Sequence, residues 1–145
     1  MPLEKLICER VAQYYWQDDI NCASASLKIL GEIFDVDLQS QVLDAALGMH
    51  GAGEYGAQCG LVEGGLMFLG IWGRARGCSD GKIIGWCNSF ARDFEARFGT
   101  LLCKELRPEG FGPHNPGHPC ELLSRNAIAF AGAFVRAINE QRTGL

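Results

Sequence analysis

The chain reads as an all-α protein, a single compact bundle of about five to six helices across residues 1–145 with a glycine-rich helix at its centre. Three observations predict this. Apolar residues recur at three-and-four spacing through most of the chain, the period of a helix with one buried face. Period-two alternation, the mark of a half-buried strand, is nowhere sustained. With 145 residues and 48% hydrophobic content, the chain suits one domain that fills its own core, with no internal repeat and no linker.

The elements follow in order. Leu3, Leu6, Ile7, Val11, Tyr14 and Tyr15 trace the apolar stripe of a first helix. Asn21 is suited to cap a second, on which Cys22, Ala25, Ile29, Leu30 and Ile33 fall near one face. A third, shorter helix covers about Gln39 to Leu47 and stops at Gly48. The fourth is the glycine-rich one, from Tyr55 to Gly73, where Glu63 is the only charge. Gly56, Gly60 and Gly64 are four apart, so they share a face on which another backbone can approach closely. A membrane span is excluded, because Gln58 and Glu63 interrupt the run and the clean apolar stretch is short of the roughly 20 residues required.

The fifth helix carries Ile83, Ile84, Cys87, Phe90, Phe94 and Phe98 as one stripe and ends at Gly99. Between Arg107 and Pro119 lie four prolines and three glycines, a loop expected to wrap the body of the protein. The last helix runs from about Cys120 to Gln141, with Leu123, Ala127, Phe130, Phe134, Ala137 and Ile138 inward. Trp72, Trp86, Phe111 and Phe68 are many large apolar groups for a small bundle, and a homodimer is expected to cover some of them.

Charge and motifs remove several functions. Lys+Arg 13 against Asp+Glu 17 gives a net charge of -4, which argues against binding nucleic acid through a basic face. The segment Met1–Arg10 has no long apolar run and no small-residue cleavage site, so a cytoplasmic location is expected. No phosphate-cradling G-x-x-x-x-G-K-[ST] is present, and the glycines of 51–60 follow no strand that would make them a dinucleotide fingerprint. Ser24, Ser26 and Ser124 lack a nucleophile elbow. No catalytic residue is assigned, and an oxidoreductase role is left open.

Seven cysteines remain, and an odd count fits poorly with a closed disulfide framework. The chain contains no CxxC pair and no CxxCH, which removes thioredoxin-type chemistry, the usual zinc-ribbon spacing and c-type haem attachment. Any site must therefore gather cysteines from distant segments. Four share a setting: Cys22 follows the Asn21 cap, Cys59 lies in the first turns of the glycine-rich helix, Cys103 follows Gly99-Thr100 where a short turn can start, and Cys120 follows Pro119. Element starts offer free N–H groups and the positive end of the helix dipole, both of which favour thiolate over thiol. Four such positions can converge at one end of a bundle as a four-thiolate metal site. Cys8 and Cys87 read as packing residues and Cys78 as an exposed turn residue.

Asn21-Cys22-Ala23 with Leu27, the glycine-rich lead into Cys59-Gly60 and Gly64, Phe98-Gly99 followed by Cys103-Lys104-Glu105-Leu106, and finally Cys120 together resemble the C_GCAxxG_C_C family of redox-active proteins. The likeness runs from about residue 20 to 130. Its members are small helical proteins of bacteria and archaea, many from anaerobes. A related domain occurs in a split-Soret type cytochrome together with an iron–sulfur centre of the 2Fe–2S type. The resemblance therefore implies redox work, with Cys22, Cys59, Cys103 and Cys120 as cofactor-binding metal ligands. The chain departs from the pattern where members often carry further glycines and an arginine: His50, Ala52 and Glu54 stand there, and Leu61 replaces the usual alanine.

His118, beside Cys120, is read as a loop residue that bonds the backbone or donates to a cluster sulfur, with a mixed Cys/His site as the alternative. His114 shares that loop with no role assigned, and His50 is read as a surface or packing residue above the glycine-rich turn. Three functions remain open. The first is an iron–sulfur protein for electron transfer or redox sensing, served by a redox partner protein. The second is a metal-free thiol–disulfide protein using the same cysteines. The third is a structural zinc module.

Overall fold

Asn21 starts the helix around which the rest of the chain packs. In the computed structural model, which describes residues 2–107 and 120–143, its side chain accepts a hydrogen bond from the Ser24 N–H at 2.8 Å and caps α2 (Cys22–Ile33). The same side chain donates to the Ala46 and Leu47 carbonyls, at 3.2 and 3.0 Å, and so ties the start of α2 to the turn (Ala46–Gly48) that follows α3 (Ser40–Ala45). From Ala23 to Gly31 only Lys28 keeps appreciable accessible surface. A helix apolar nearly all round belongs in the middle of a bundle.

Its closest partner is the glycine-rich helix, α5 (Gly60–Ala75), which is also buried along most of its length. The small-residue face works as expected at two of its three glycines. A Cβ at Gly64 would stand 2.8 Å from the Ala23 carbonyl oxygen and 2.9 Å from the Ser26 Cβ, and one at Gly60 would stand 3.0 Å from the Ala23 nitrogen. Backbone meets backbone at these positions. Gly56 does not belong to the helix, which begins at Gly60 and not at Tyr55. Its φ of +100° is left-handed backbone, and it packs against the stem of Lys104.

The outer helices close the bundle. α1 (Leu3–Ala12) continues into a π-helical turn, Gln13–Gln17, and lies on α8 (Glu121–Thr143). α6 (Asp80–Phe98) ends at Gly99 in left-handed conformation and packs on α5 and α8. Phe90, Phe94 and Phe98 of α6 meet Phe130 and Phe134 of α8 with ring centroids 5.3–5.9 Å apart. Two short pieces, α4 (Gly51–Glu54) and α7 (Cys103–Leu106), complete the set. Among the described residues there is no strand, only an isolated antiparallel bridge between Gln58 and Leu102. No helix among them is long and apolar enough to cross a membrane.

The all-α architecture and the central glycine-rich helix match the reading of the sequence, and several inward positions do not. Ile84 is exposed, so the stripe of α6 is Ile83, Trp86, Cys87, Phe90, Phe94 and Phe98. Ala137 is exposed as well, because the buried line of α8 runs through Ser124, Ile128, Ala131, Val135 and Ile138. Cys78 is buried, folded under the turn between α5 and α6 where its N–H donates to the Gly73 carbonyl at 3.0 Å. Cys87 is half-buried at the edge of the core, and Cys8 is half-buried on α1. Phe68 and Trp72 are fully buried and Trp86 packs on Trp72 at 5.6 Å, so the core itself uses three of the four aromatic groups from which a dimer interface was expected to draw some. Phe111 and the proline-rich loop lie outside the described residues.

Candidate functional site

Two loops, far apart in sequence, zip together to form one side of the site. Gly51, Ala52, Gly53 and Glu54 all hold left-handed backbone, with φ of 70°, 55°, 64° and 70°. For Ala52 and Glu54 that conformation costs on the order of 1–2 kcal/mol each. The turn is held by the Gly56 and Ala57 N–H groups, which both donate to the Gly51 carbonyl, and by the Gly51 N–H, which donates to Gln58. The strand-like piece that follows then pairs with 101–104: the Cys59 N–H donates to Leu101 at 2.8 Å and the Cys103 N–H to Ala57 at 2.7 Å. This pairing sets Cys59, at the N-cap of α5, beside Cys103, the first residue of α7. Gly51 has to be glycine here, since a Cβ would lie 2.9 Å from the Cys103 Cβ and 3.1 Å from its sulfur.

The other two cysteines arrive on helix starts. Cys22 opens α2 behind the Asn21 cap, and its sulfur rests against the first residue of α5, 2.4 Å from where a Gly60 Cβ would be. Cys120 stands just before α8, its carbonyl accepting from the Ser124 N–H at 2.7 Å. Cys22, Cys59, Cys103 and Cys120 all line one cavity of about 260 Å³. The remaining cysteines, Cys8, Cys78 and Cys87, do not line it.

The walls include residues that sequence reasoning placed elsewhere. Tyr15, assigned to the core stripe of the first helix, faces the cavity with its hydroxyl 2.5 Å from the Ser124 hydroxyl. The π-helical turn around it brings it there, and nothing local in the sequence marks that turn. His50, half-buried above the glycine-rich turn, lines the cavity too: its Nδ1 is buried, while Nε2 lies 3.9 Å from a Glu54 carboxylate oxygen. Arg107 closes another side. His114 and His118 lie outside the described residues.

Electrostatics define what the cavity can hold. Burial pushes the Cys22 thiol well above its ordinary range, and the neighbouring Cys59, Cys120 and Cys103 push it further. Burial likewise raises Cys59 to about 12, against the pull of the Leu61 and Val62 amides at the helix start. Cys103 is raised by burial and by Cys120, with Arg107 opposing. Helix starts alone would lower these values; desolvation and mutual repulsion win. Cys22, Cys59 and Cys103 thus stay protonated in neutral water unless a cation joins them. Among the described residues no three His, Cys, Asp or Glu side chains form a group that could hold a single metal ion.

A family model described as "Putative redox-active protein (C_GCAxxG_C_C)" matches residues 20–134, most of the chain. The chain belongs to this C_GCAxxG_C_C family. All four cavity cysteines and both loops of the site fall inside the matched span, and Cys8 falls outside it. No curated protein and no solved structure shows significant similarity to the chain.

Membership in this redox-active family makes the protonation of the thiols testable. A group whose native pKa exceeds its unfolded value stabilises the fold while both states hold the proton, and loses that contribution as pH rises towards the native value. For Cys59 the window runs from its ordinary 9.0 up to about 12. A displacement of that size corresponds to on the order of 4 kcal/mol. Tyr15 and Cys22 are shifted in the same direction. Urea unfolding of the metal-free protein is therefore expected to show a marked loss of stability between pH 8.5 and pH 11, with a smaller loss in a Cys59→Ser variant. Equal losses in the two proteins would show that the Cys59 thiol is not the source.

Proposed function

We propose that this protein is an electron carrier or redox sensor in which Cys22, Cys59, Cys103 and Cys120 hold an iron–sulfur cluster of the 2Fe–2S class. The observation that carries the reading is the convergence of these four cysteines, from four separate segments, on one cavity. The donor set is all sulfur, which suits soft metals and iron–sulfur clusters. The cavity, at about 260 Å³, is larger than one ion needs, which favours a polynuclear occupant over structural zinc. The raised thiols disfavour the metal-free dithiol reading, because a protonated thiol is a poor nucleophile towards a disulfide.

When bound, such a cluster accepts and returns one electron at a time. The chain's own part is to exclude water and to manage charge. Leu61 and Leu123 line the apolar walls. The Leu61 and Val62 amides stabilise negative charge on the Cys59 sulfur, and Arg107 does the same for Cys103.

Anaerobic purification from iron-replete cells tests the reading through iron, zinc and acid-labile sulfide analysis with a visible spectrum. The expected result is brown protein with about two iron and two sulfide per chain. Colourless, iron-free protein would overturn it: stoichiometric zinc would then establish the structural module, and a thiol count that falls on mild oxidation without metal would establish the dithiol protein.

A further inference from the structure

Among the described residues five large apolar side chains stand exposed, and four of them belong to the segments that frame the cysteine cavity. Trp16 is 58% exposed, Leu47 66%, Tyr55 88% and Leu122 67%. Each is tied to a residue of the cavity wall. Trp16 follows Tyr15, and its Nε1 donates to the carboxylate of Glu121, the neighbour of Cys120, at 3.2 Å. Leu122 stands next to the wall residue Leu123. The Leu47 carbonyl accepts from Asn21, also on the wall, at 3.0 Å, and Tyr55 follows Glu54 on the strained turn. The fifth, Ile84, lies away on α6. Single exposed apolar residues are ordinary, but four of them framing one opening have the composition of an interaction surface.

The charge of this rim decides what can cover it. Among the wall residues and their immediate neighbours, Asp18, Asp19, Glu54 and Glu105 outnumber Lys104 and Arg107, while Glu121 is matched by Arg125 at 3.1 Å. A second copy of the chain would bring the same negative excess and is disfavoured by like-charge repulsion. We infer that the mouth of the cysteine cavity is the docking surface for a redox partner protein whose contact face is apolar at its centre and carries lysine and arginine around it. The inference rests on the reading of the protein as an electron carrier or redox sensor, and needs no particular occupant of the cavity. Redox partners meet over small, transient interfaces, where a few apolar anchors give contact and complementary charge steers encounter. Trp16 has the character of an anchor, a large ring whose N–H is already held by Glu121, so docking freezes little new motion.

Isothermal titration of the protein as purified, at low ionic strength, tests this with a basic c-type cytochrome and an acidic flavodoxin as probes. The cytochrome is expected to bind, more weakly as salt is added, and the flavodoxin not to bind. Trp16→Ser and Leu122→Ser are each expected to lower the cytochrome affinity about tenfold. Asp18→Asn combined with Glu54→Gln should lower it about threefold at low salt and flatten its salt dependence. The control is Asp35→Asn combined with Asp37→Asn, beyond the far end of α2, whose 12 residues span roughly 18 Å; it should bind as the wild type does. All of these side chains are exposed, so the variants should fold, which urea unfolding checks. A cytochrome that does not bind, equal binding of both probes, or rim variants that bind as the wild type does overturn the inference. A control that loses as much as the rim variants overturns it as well. So does light scattering that finds a dimer broken by Trp16→Ser and Leu122→Ser, since a second copy then covers the rim. Iron analysis of the same samples keeps the two readings apart: rim-dependent binding by iron-free protein overturns the cluster alone, and iron-loaded protein without such binding overturns the docking surface alone.

Discussion

A Gly60→Ala protein is expected to melt roughly 3–10 °C below the wild type and, on the proposed cluster reading, to hold less iron than the wild type, from the addition of one methyl group. The new Cβ would stand 2.4 Å from the Cys22 sulfur, 3.0 Å from the Ala23 nitrogen and 3.1 Å from the His50 Cα. The sulfur can swing aside by rotating about one bond. The other two atoms are backbone on opposite sides, one in α2 and one in the strained turn, and neither yields without separating packed elements. Overpacking of this kind costs about 1–3 kcal/mol. The cheaper response, rotation of Cys22, removes that sulfur from the cavity, so stability and iron content should fall together. Gly70→Ala on the same helix is the control. Nothing lies within 4 Å of a Cβ there, and alanine improves on glycine inside a helix by about 0.8–1.0 kcal/mol. Thermal unfolding of the metal-free proteins with iron analysis of the loaded ones decides the matter; a Gly60→Ala protein that melts with the wild type would show that α2 and α5 are not in backbone contact.

What the sequence revealed of this arrangement was local, and what it concealed was long-range. The Asn21 cap, the phenylalanine stripe of α6 and its Gly99 stop depend on residues within one or two turns, so pattern alone places them. The four cysteines share one local feature, a position at the start of an element, and the same feature marked them for convergence. The entry to α5 was misplaced because Gly56 continues the four-residue glycine spacing, while its real conformation is set by pairing with a segment more than forty residues away, through Gln58 and Leu102. Burial of Cys78 depends on how the α5–α6 turn folds under, which no periodicity encodes. Tyr15 carries the i, i+4 signature of a core residue and is indeed buried; only the π-helical turn makes its hydroxyl a wall of the cavity.

The largest effect of all is expected at Cys59, and the choice of replacement separates its two roles. Cys59 occupies the N-cap of α5 with extended backbone, the conformation that serine also favours at that position. Serine is nearly isosteric and retains an acceptor for the free amides of the first turn, so the metal-free Cys59→Ser protein should lie within about 1 kcal/mol of wild type. It lacks the soft thiolate, and under the proposed cluster reading complete loss of the chromophore that reading predicts is expected. Cys59→Ala removes the donor as well; the thiol makes no capping hydrogen bond to α5, so any further loss of stability should come from the missing buried side chain alone. Cys22→Ala, Cys103→Ala and Cys120→Ala should likewise be colourless, because each takes one donor from the same cavity. Cys8→Ala and Cys87→Ala should keep full colour, since neither residue lines that cavity. Iron per chain and visible absorption, read beside urea unfolding of the metal-free proteins, distinguish ligand loss from misfolding. A stable Cys59→Ser or Cys59→Ala protein holding wild-type iron would place the centre elsewhere in the chain. Loss of colour on replacing Cys8 or Cys87 in a stably folded protein would show that the four-cysteine cavity is not sufficient to hold it.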